Sequence, residues 1–160
     1  MVLLEWDATT YDSLPLPHAR WGDGVIARLG PAPDATVVDL GCGTGRDTER
    51  LLDGVPEGRV VAVDASTRML ERLRERLGDR LDRVDVVRAD LTQDFPAAIR
   101  GDSVMSVAAF HWIPDHPALF RRIAGALPSG GRREAEFGGE GDIVAVNRAL
   151  EAGRRAGGPG

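Results

Sequence analysis

The residues best suited to chemistry stand at four places along the chain. At the first, a single acid, Asp39, precedes a run of alternating glycines, Gly41, Gly43 and Gly45, with Cys42 and Thr44 between them. Glycines let a backbone turn sharply and approach a ligand closely. A second acid, Asp64, lies 23 residues beyond Gly41. A carboxylate at about that spacing after a glycine loop can accept the hydroxyls of a ribose. Asp90 follows a third apolar run, and His111 sits between Phe110 and Trp112 after a fourth. A histidine there is a candidate general base. Cys42, the one cysteine, reads as a small buried residue rather than a nucleophile. His18, His111 and His116 do not share ligand spacing with it, so no metal site is expected.

Those residues need a scaffold that brings four separate segments together. Ala35 to Leu40, Arg59 to Val63, Arg83 to Ala89 and Ser103 to Ala109 are short runs rich in Val and Ala. They read as strands of a parallel sheet buried on both faces. Arg132 to Phe137 takes the place of a fifth. Helical spacing intervenes: Trp21 to Leu29, Asp47 to Val55, and a segment after Ser66 with Met69, Leu70, Leu73 and Leu77 on one face. Ser66 is a natural N-cap, and Asp115 with Pro117 opens another helix carrying Leu119, Phe120, Ile123 and Leu127 inward. Asp142 caps an expected last helix with Ile143, Val144, Val146 and Leu150. The fold class is therefore α/β, a Rossmann-like doubly wound sheet of about five parallel strands with helices on both faces. In such sheets ligands bind beyond the carboxyl ends of the strands, where all four places lie.

The glycine spacing narrows the ligand. A dinucleotide fingerprint is G-x-G-x-x-G, and its third glycine would fall at position 46, which is Arg46. The loop is instead G-x-G-x-G with an acid two residues ahead. Strand, acid and loop together resemble the nucleoside-binding element of class I S-adenosylmethionine-dependent methyltransferases. The sequence AAFHWIPDH, from Ala108 to His116, resembles the trans-aconitate methyltransferase-like branch, which acts on small molecules. The resemblance spans roughly Tyr11 to Leu150. It implies S-adenosylmethionine as cofactor, held by Tyr11, Asp39, Gly41, Cys42, Gly43, Gly45, Asp64, Ala65, Met69, Asp90, Leu91 and Ala109. It implies a small acceptor, a carboxylate or similar, beside Phe110, His111 and Trp112, with His111 as catalytic base. His18 or Trp21 is a further candidate to fold over the cofactor. Two other readings stay open: a catalytically inactive cofactor-binding fragment or partner-dependent subunit, and a nicotinamide-dependent oxidoreductase. Arg46 argues against the last.

Composition sets the outer bounds. The 160 residues suit one domain, here read as a lead-in with one helix over 1–35, a cofactor-binding domain over 36–150 and a disordered tail over 151–160. The net charge of −5 argues against a nucleic-acid partner. All 20 basic residues are arginine, and Arg68, Arg72, Arg74, Arg76 and Arg80 alternate with acids, as on a solvated helix face. One cysteine, no signal-like start and no long apolar run fit a cytoplasmic, membrane-free protein. Two features depart from the family. Its members usually continue with two further strands, and the fifth strand here is highly charged. Truncation, a protected sheet edge, or a partner or second copy completing the sheet would each account for this.

Overall fold

A computed structural model of the chain describes residues 7–13 and 20–138. The expected helix from Asp142, the tail over 151–160 and His18 lie outside the described residues. The elements run α1 (Ala8–Ser13), α2 (Trp21–Leu29), β1 (Thr36–Leu40), α3 (Arg46–Gly54), β2 (Arg59–Asp64), α4 (Thr67–Leu77), a 3₁₀ turn (Gly78–Arg83), β3 (Val84–Arg88), β4 (Ser103–Val107), a second 3₁₀ turn (Phe110–Trp112), α5 (His116–Ala126) and β5 (Arg132–Glu136). All strand pairs are parallel and the order is β3-β2-β1-β4-β5. The direction of winding reverses between β1 and β4. In sheets of this kind ligands bind in the crevice outside the carboxyl ends of the strands at such a switch point.

Alternation along β1 explains the two cores. Val37 faces α2, α3 and α4, packing with Val25, Leu29, Leu51, Leu52 and Leu73. Val38 and Leu40 face the other way, onto Leu119 and Ile123 of α5 and onto Leu91 and Ile99 of the segment linking β3 to β4. Each fully buried side chain of this size contributes about 1.5–3 kcal/mol. Ser66 and Asp115 cap α4 and α5 as expected, accepting from the backbone N–H of Met69 at 3.3 Å and of Ala118 at 2.9 Å. α4 ends at Gly78, as the glycine signalled.

Two expectations change. The lead-in contains a helix, α1, where only irregular chain was expected before α2. Asp7 starts it, with one carboxylate oxygen accepting from Thr9 N–H at 3.1 Å and Thr10 N–H at 3.2 Å, and the prolines at 15 and 17 come after its end. The charged fifth strand raises no burial problem. It is the last strand of the described sheet: Arg28 of α2 bonds its Glu134 at 3.3 Å and Glu136 at 2.9 Å, Arg132 donates to the Arg28 carbonyl at 3.0 Å, and the exposed Arg133 lies over the Phe120 ring of α5. Alternation puts Ala135 on the opposite, apolar face. Among the described residues no helix is long and apolar enough to cross a membrane, and no group of His, Cys, Asp or Glu could hold a metal ion.

Candidate functional site

The glycine loop leaves β1 and folds onto the end of β2. Gly41 and Cys42 both donate to the Val63 carbonyl, at 2.8 and 3.0 Å. All three loop glycines have positive φ, 76° at Gly41, 53° at Gly43 and 85° at Gly45. Their reasons differ. A Cβ on Gly41 would lie 2.4 Å from the Ala109 Cβ, so this glycine lets the loops after β1 and β4 touch. A Cβ on Gly45 would meet Leu73 at 2.9 Å, so this one lets α4 close on α3's start. A Cβ on Gly43 would meet nothing within 4 Å. That glycine faces open space, the side on which a ligand can approach the backbone.

Asp64 stitches the loop to the next segment. One of its carboxylate oxygens accepts from Gly43 N–H at 3.0 Å, the other from Ser66 N–H at 2.9 Å. A carboxylate oxygen can accept more than one hydrogen bond, as a pair of ligand hydroxyls would require. Ala65 follows it and is bonded through its carbonyl by Arg88 at 3.2 Å. Met69 is buried in the first turn of α4 yet belongs to neither apolar core.

Asp39 is only 2% exposed and accepts a 2.7 Å hydrogen bond from the Thr48 hydroxyl. Burial pushes its pKa up to about 7. The Thr48 bond opposes this, and the nearby Asp47 and Asp64 add to it. The carboxyl acts from beneath the loop. Cys42 is buried, and desolvation, then Asp39 and Asp64, push its thiol well above its ordinary value. It is a poor nucleophile, as expected.

Asp90 follows β3. One oxygen accepts from Thr92 N–H at 2.8 Å and from the Thr92 hydroxyl at 2.7 Å, forming a tight local turn. Leu91 turns its side chain into the α5-side core, which leaves its backbone as the part that can face the crevice.

After β4 the chain does something no sequence pattern announced. Ala108 has φ 55°, the left-handed region, the one positive value among described non-glycine residues. Its N–H is held by the Glu136 carbonyl at 2.8 Å. This kink drives Ala109 against Gly41 and starts the turn Phe110–Trp112. Strain of this kind, about 1–2 kcal/mol, concentrates at functional sites. Ser106, also unanticipated, is buried and ties β4 to β1 through a 2.7 Å bond to the Leu40 carbonyl.

Phe110 does not face the crevice. It is buried against Phe120 and Phe137, and its carbonyl bonds His116 Nε2 at 2.9 Å, so it anchors the turn from below. His111 and Trp112 remain at the surface side, with ring centroids 4.8 Å apart. His111 Nδ1 is enclosed and without a hydrogen-bond partner among the described residues. Desolvation lowers the pKa of the ring below 6.5 and favours neutral imidazole. A neutral imidazole can accept a proton from a bound group through a ring nitrogen that reaches it.

Tyr11 belongs to α1, its side chain outside the described residues. Its neighbour Asp12 was not anticipated. The Asp12 carboxylate accepts from the Thr44 hydroxyl at 2.7 Å, Arg46 Nε at 3.1 Å and Arg76 Nη2 at 2.9 Å, placing α1 on the glycine loop. The arginine series on α4 is thus only partly a solvated face: Arg72 pairs with Glu75 at 2.7 Å, but Arg76 turns inward to the loop. The structure thereby groups Asp39, the glycine loop, Asp64, Ala65 and Ala109 at the carboxyl ends of β1, β2 and β4, with Met69, Asp90 and Leu91 on the neighbouring turns and His111 on the loop after β4.

Comparison with known proteins agrees with this geometry. Residues 37–131 match the model of a methyltransferase domain family. A trans-aconitate 2-methyltransferase of Azoarcus sp. (strain BH72) is 36% identical over 126 residues, 79% of this chain and 48% of that protein. The chain spans about half the length of the curated relatives it matches. Among solved structures, coclaurine N-methyltransferase bound to N-methylheliamine and SAH superposes with a TM-score of 0.64 at 28% identity, covering 75% of this chain and 36% of the other. Phosphoethanolamine N-methyltransferase 2 of Haemonchus contortus, in complex with phosphomonomethylethanolamine and S-adenosylhomocysteine, gives 0.65 at 26% identity, covering 81% and 32%.

Proposed function

Since this chain belongs to the methyltransferase domain family, we propose that it binds S-adenosylmethionine in the crevice at the β1–β4 switch point and transfers its methyl group to a small acceptor. When bound, that cofactor supplies an electrophilic methyl on a sulfonium. The observation that carries the reading is the glycine loop itself: Gly43 opens its backbone to the crevice while Asp64 is fixed to the same residue at 3.0 Å. A backbone approach and a diol-binding carboxylate are thus one rigid unit, fitted to a nucleoside. Asp39, whose pKa burial raises to about 7, would ionise more readily beside a bound cation than beside a pyrophosphate.

The protein's own residues supply positioning more than bond chemistry. Ala109, pressed against Gly41, fixes the wall after β4. His111 and Trp112 then border the place where an acceptor must sit. Two lines support a carboxylate oxygen as the acceptor atom: the trans-aconitate 2-methyltransferase relatives, and the absence of any need for a base when the acceptor is already ionised. For a protonated acceptor, the neutral imidazole of His111 takes the proton. The acidic surface and the lack of a phosphate-ready loop speak against nucleic acid as substrate.

The test is methyl transfer from isotope-labelled S-adenosylmethionine to trans-aconitate, to other small carboxylates, and to amines and phenols. Transfer to carboxylates supports the finer reading. Transfer confined to amines or phenols would replace it and keep the coarser one. With a protonated acceptor, the rate should fall on acidification with a midpoint below 6.5, and His111→Ala should remove that limb. Binding without transfer to any acceptor would favour a cofactor-binding unit that works with further polypeptide, a reading motivated by the chain's spanning about half of its relatives. Binding of NADH in place of S-adenosylmethionine would overturn both.

A further inference from the structure

The contacts of Asp12 join four parts of the chain at one carboxylate. α1 contributes the acid. The glycine loop contributes Thr44, whose side chain bonds Asp12 at 2.7 Å and whose carbonyl accepts from Arg76 Nε at 2.9 Å. α3 contributes Arg46, which bonds the carboxylate at 3.1 Å and the Asp12 carbonyl as well. α4 contributes Arg76 at 2.9 Å and Arg72 at 3.6 Å. Both partners of the nearest pairs are largely withdrawn from solvent, with side-chain exposures of 12% for Asp12, 30% for Arg46 and 27% for Arg76. Exposed ion pairs contribute little, whereas half-buried charge-assisted bonds that share one carboxylate hold more firmly.

The rest of α1's attachment is slight. Its six residues are too few to be stable as an isolated helix, and Ala8 is its one buried apolar side chain among those described. Among the described contacts, this acid is the one that fastens α1 to the loop and to two helices. The loop it is fastened to is the loop whose Gly43 backbone opens on the crevice.

From this junction we infer that Asp12 is a positioning residue, a latch that fastens α1 across the glycine loop and sets the rate at which bound cofactor leaves. The inference rests on the cofactor reading given above. Release requires the loop to relax, and the latch ties Thr44, in the middle of that loop, to two helices at once. Arg76 belongs to the same device. Removing Asp12 and removing Arg76 should therefore have overlapping effects, not additive ones.

The experiment uses the full chain, with S-adenosylmethionine dissociation followed by stopped-flow displacement and hydrogen exchange followed over residues 8–13. Asp12→Ala should speed dissociation by about tenfold or more, the scale of a lost charge-assisted bond. It should also expose the α1 amides to exchange while β1, β2 and β4 stay protected. Arg76→Gln should reproduce part of both effects, and the double variant should release little faster than Asp12→Ala alone. Should Asp12→Ala fail to fold, Arg76→Gln carries the same test from the α4 side. Unchanged exchange over residues 8–13 would overturn the latch. Raised exchange with wild-type release would overturn its control of release. A folded wild-type chain that binds no S-adenosylmethionine would overturn the cofactor reading, and the gating with it, an outcome distinct from the other two.

Discussion

Two carboxyl groups a few residues from the same loop face opposite physical situations. Asp64 accepts two backbone N–H bonds, at 3.0 and 2.9 Å. Replacing it by Ala orphans Gly43 N–H and Ser66 N–H and removes the proposed ribose acceptor. Loss of hydrogen bonds to a charged group costs about 1.5–3 kcal/mol, so Asp64→Ala should weaken S-adenosylmethionine binding by about ten- to a hundredfold in calorimetric titration. Wild-type affinity in the variant would remove the assignment. Asp39 is the reverse case. Its pKa rises from 3.8 to about 7, chiefly through desolvation. Between those values the folded chain holds a proton that the unfolded chain has released. Its contribution is therefore fully present below about pH 4 and is lost as the pH climbs to about 7, with no further change above. Asp39→Asn, which can still accept from Thr48, should remove that fall. Thermal melts of the two proteins across the range would show it as a difference that shrinks or grows only between those limits. The spacing of Asp39, the glycines and Asp64 was readable from the sequence because acid and glycine types mark the ends of apolar runs. Asp12 was not readable. A lone acid in a polar lead-in carries no signal until the fold brings Thr44, Arg46 and Arg76 to it.

At the level of elements, the glycines divide the loop's work between folding and binding, and substitution can separate the two. Alanine at any left-handed position costs about 1–2 kcal/mol in backbone strain. Gly41→Ala adds a Cβ only 2.4 Å from that of Ala109, a contact between two backbone-fixed atoms that no rotamer relieves. Overpacking of this kind adds about 1–3 kcal/mol, so denaturant titration should find Gly41→Ala clearly less stable than Gly43→Ala. Gly43→Ala meets nothing in the protein and should mainly lower cofactor affinity. Equal stability of the two variants would contradict the close approach of the β1 and β4 loops. Periodicity gave the strands and the larger helices to within a residue or two, since Val and Ala runs between helical stripes have few other solutions. The shorter β4 escaped it: Ala108 and Ala109 are as apolar as the strand before them, and only the left-handed φ of 55° at Ala108 ends the ladder. Phe110 escaped for a similar reason. Its place beside His111 and Trp112 suggested a common role, whereas a 3₁₀ turn sends neighbouring side chains to different sides.

For the whole molecule, the proposed site is built where six parts of the chain meet. β1 supplies Asp39, β2 supplies Asp64, α3 and α4 close on the loop through Gly45, α1 is fastened to it, and the turn after β4 leans on Gly41. A ligand that fills the site is therefore bound by the folded chain alone, because α1, the glycine loop, Asp64 and the turn after β4 are far apart in the unfolded one. Binding must then raise the unfolding free energy of the entire sheet. At a free concentration of about a hundred times Kd the gain is about 2.7 kcal/mol. For a chain of this size about 2–4 °C accompanies each kcal/mol, so S-adenosylmethionine should raise the melting temperature by about 5–10 °C in one cooperative transition. NADH at the same concentration should leave it unmoved, because Arg46 stands where a dinucleotide loop needs its third glycine. The latch makes a further distinction here. In Asp12→Ala the cofactor still meets the loop and Asp64, so a shift should persist, reduced in proportion to the weaker binding. In Asp64→Ala, where the proposed contact itself is lost, the shift should shrink most. A shift of equal size in all three proteins would mean that the ligand sits elsewhere on the sheet, and the crevice at the β1–β4 switch point would lose its claim to it.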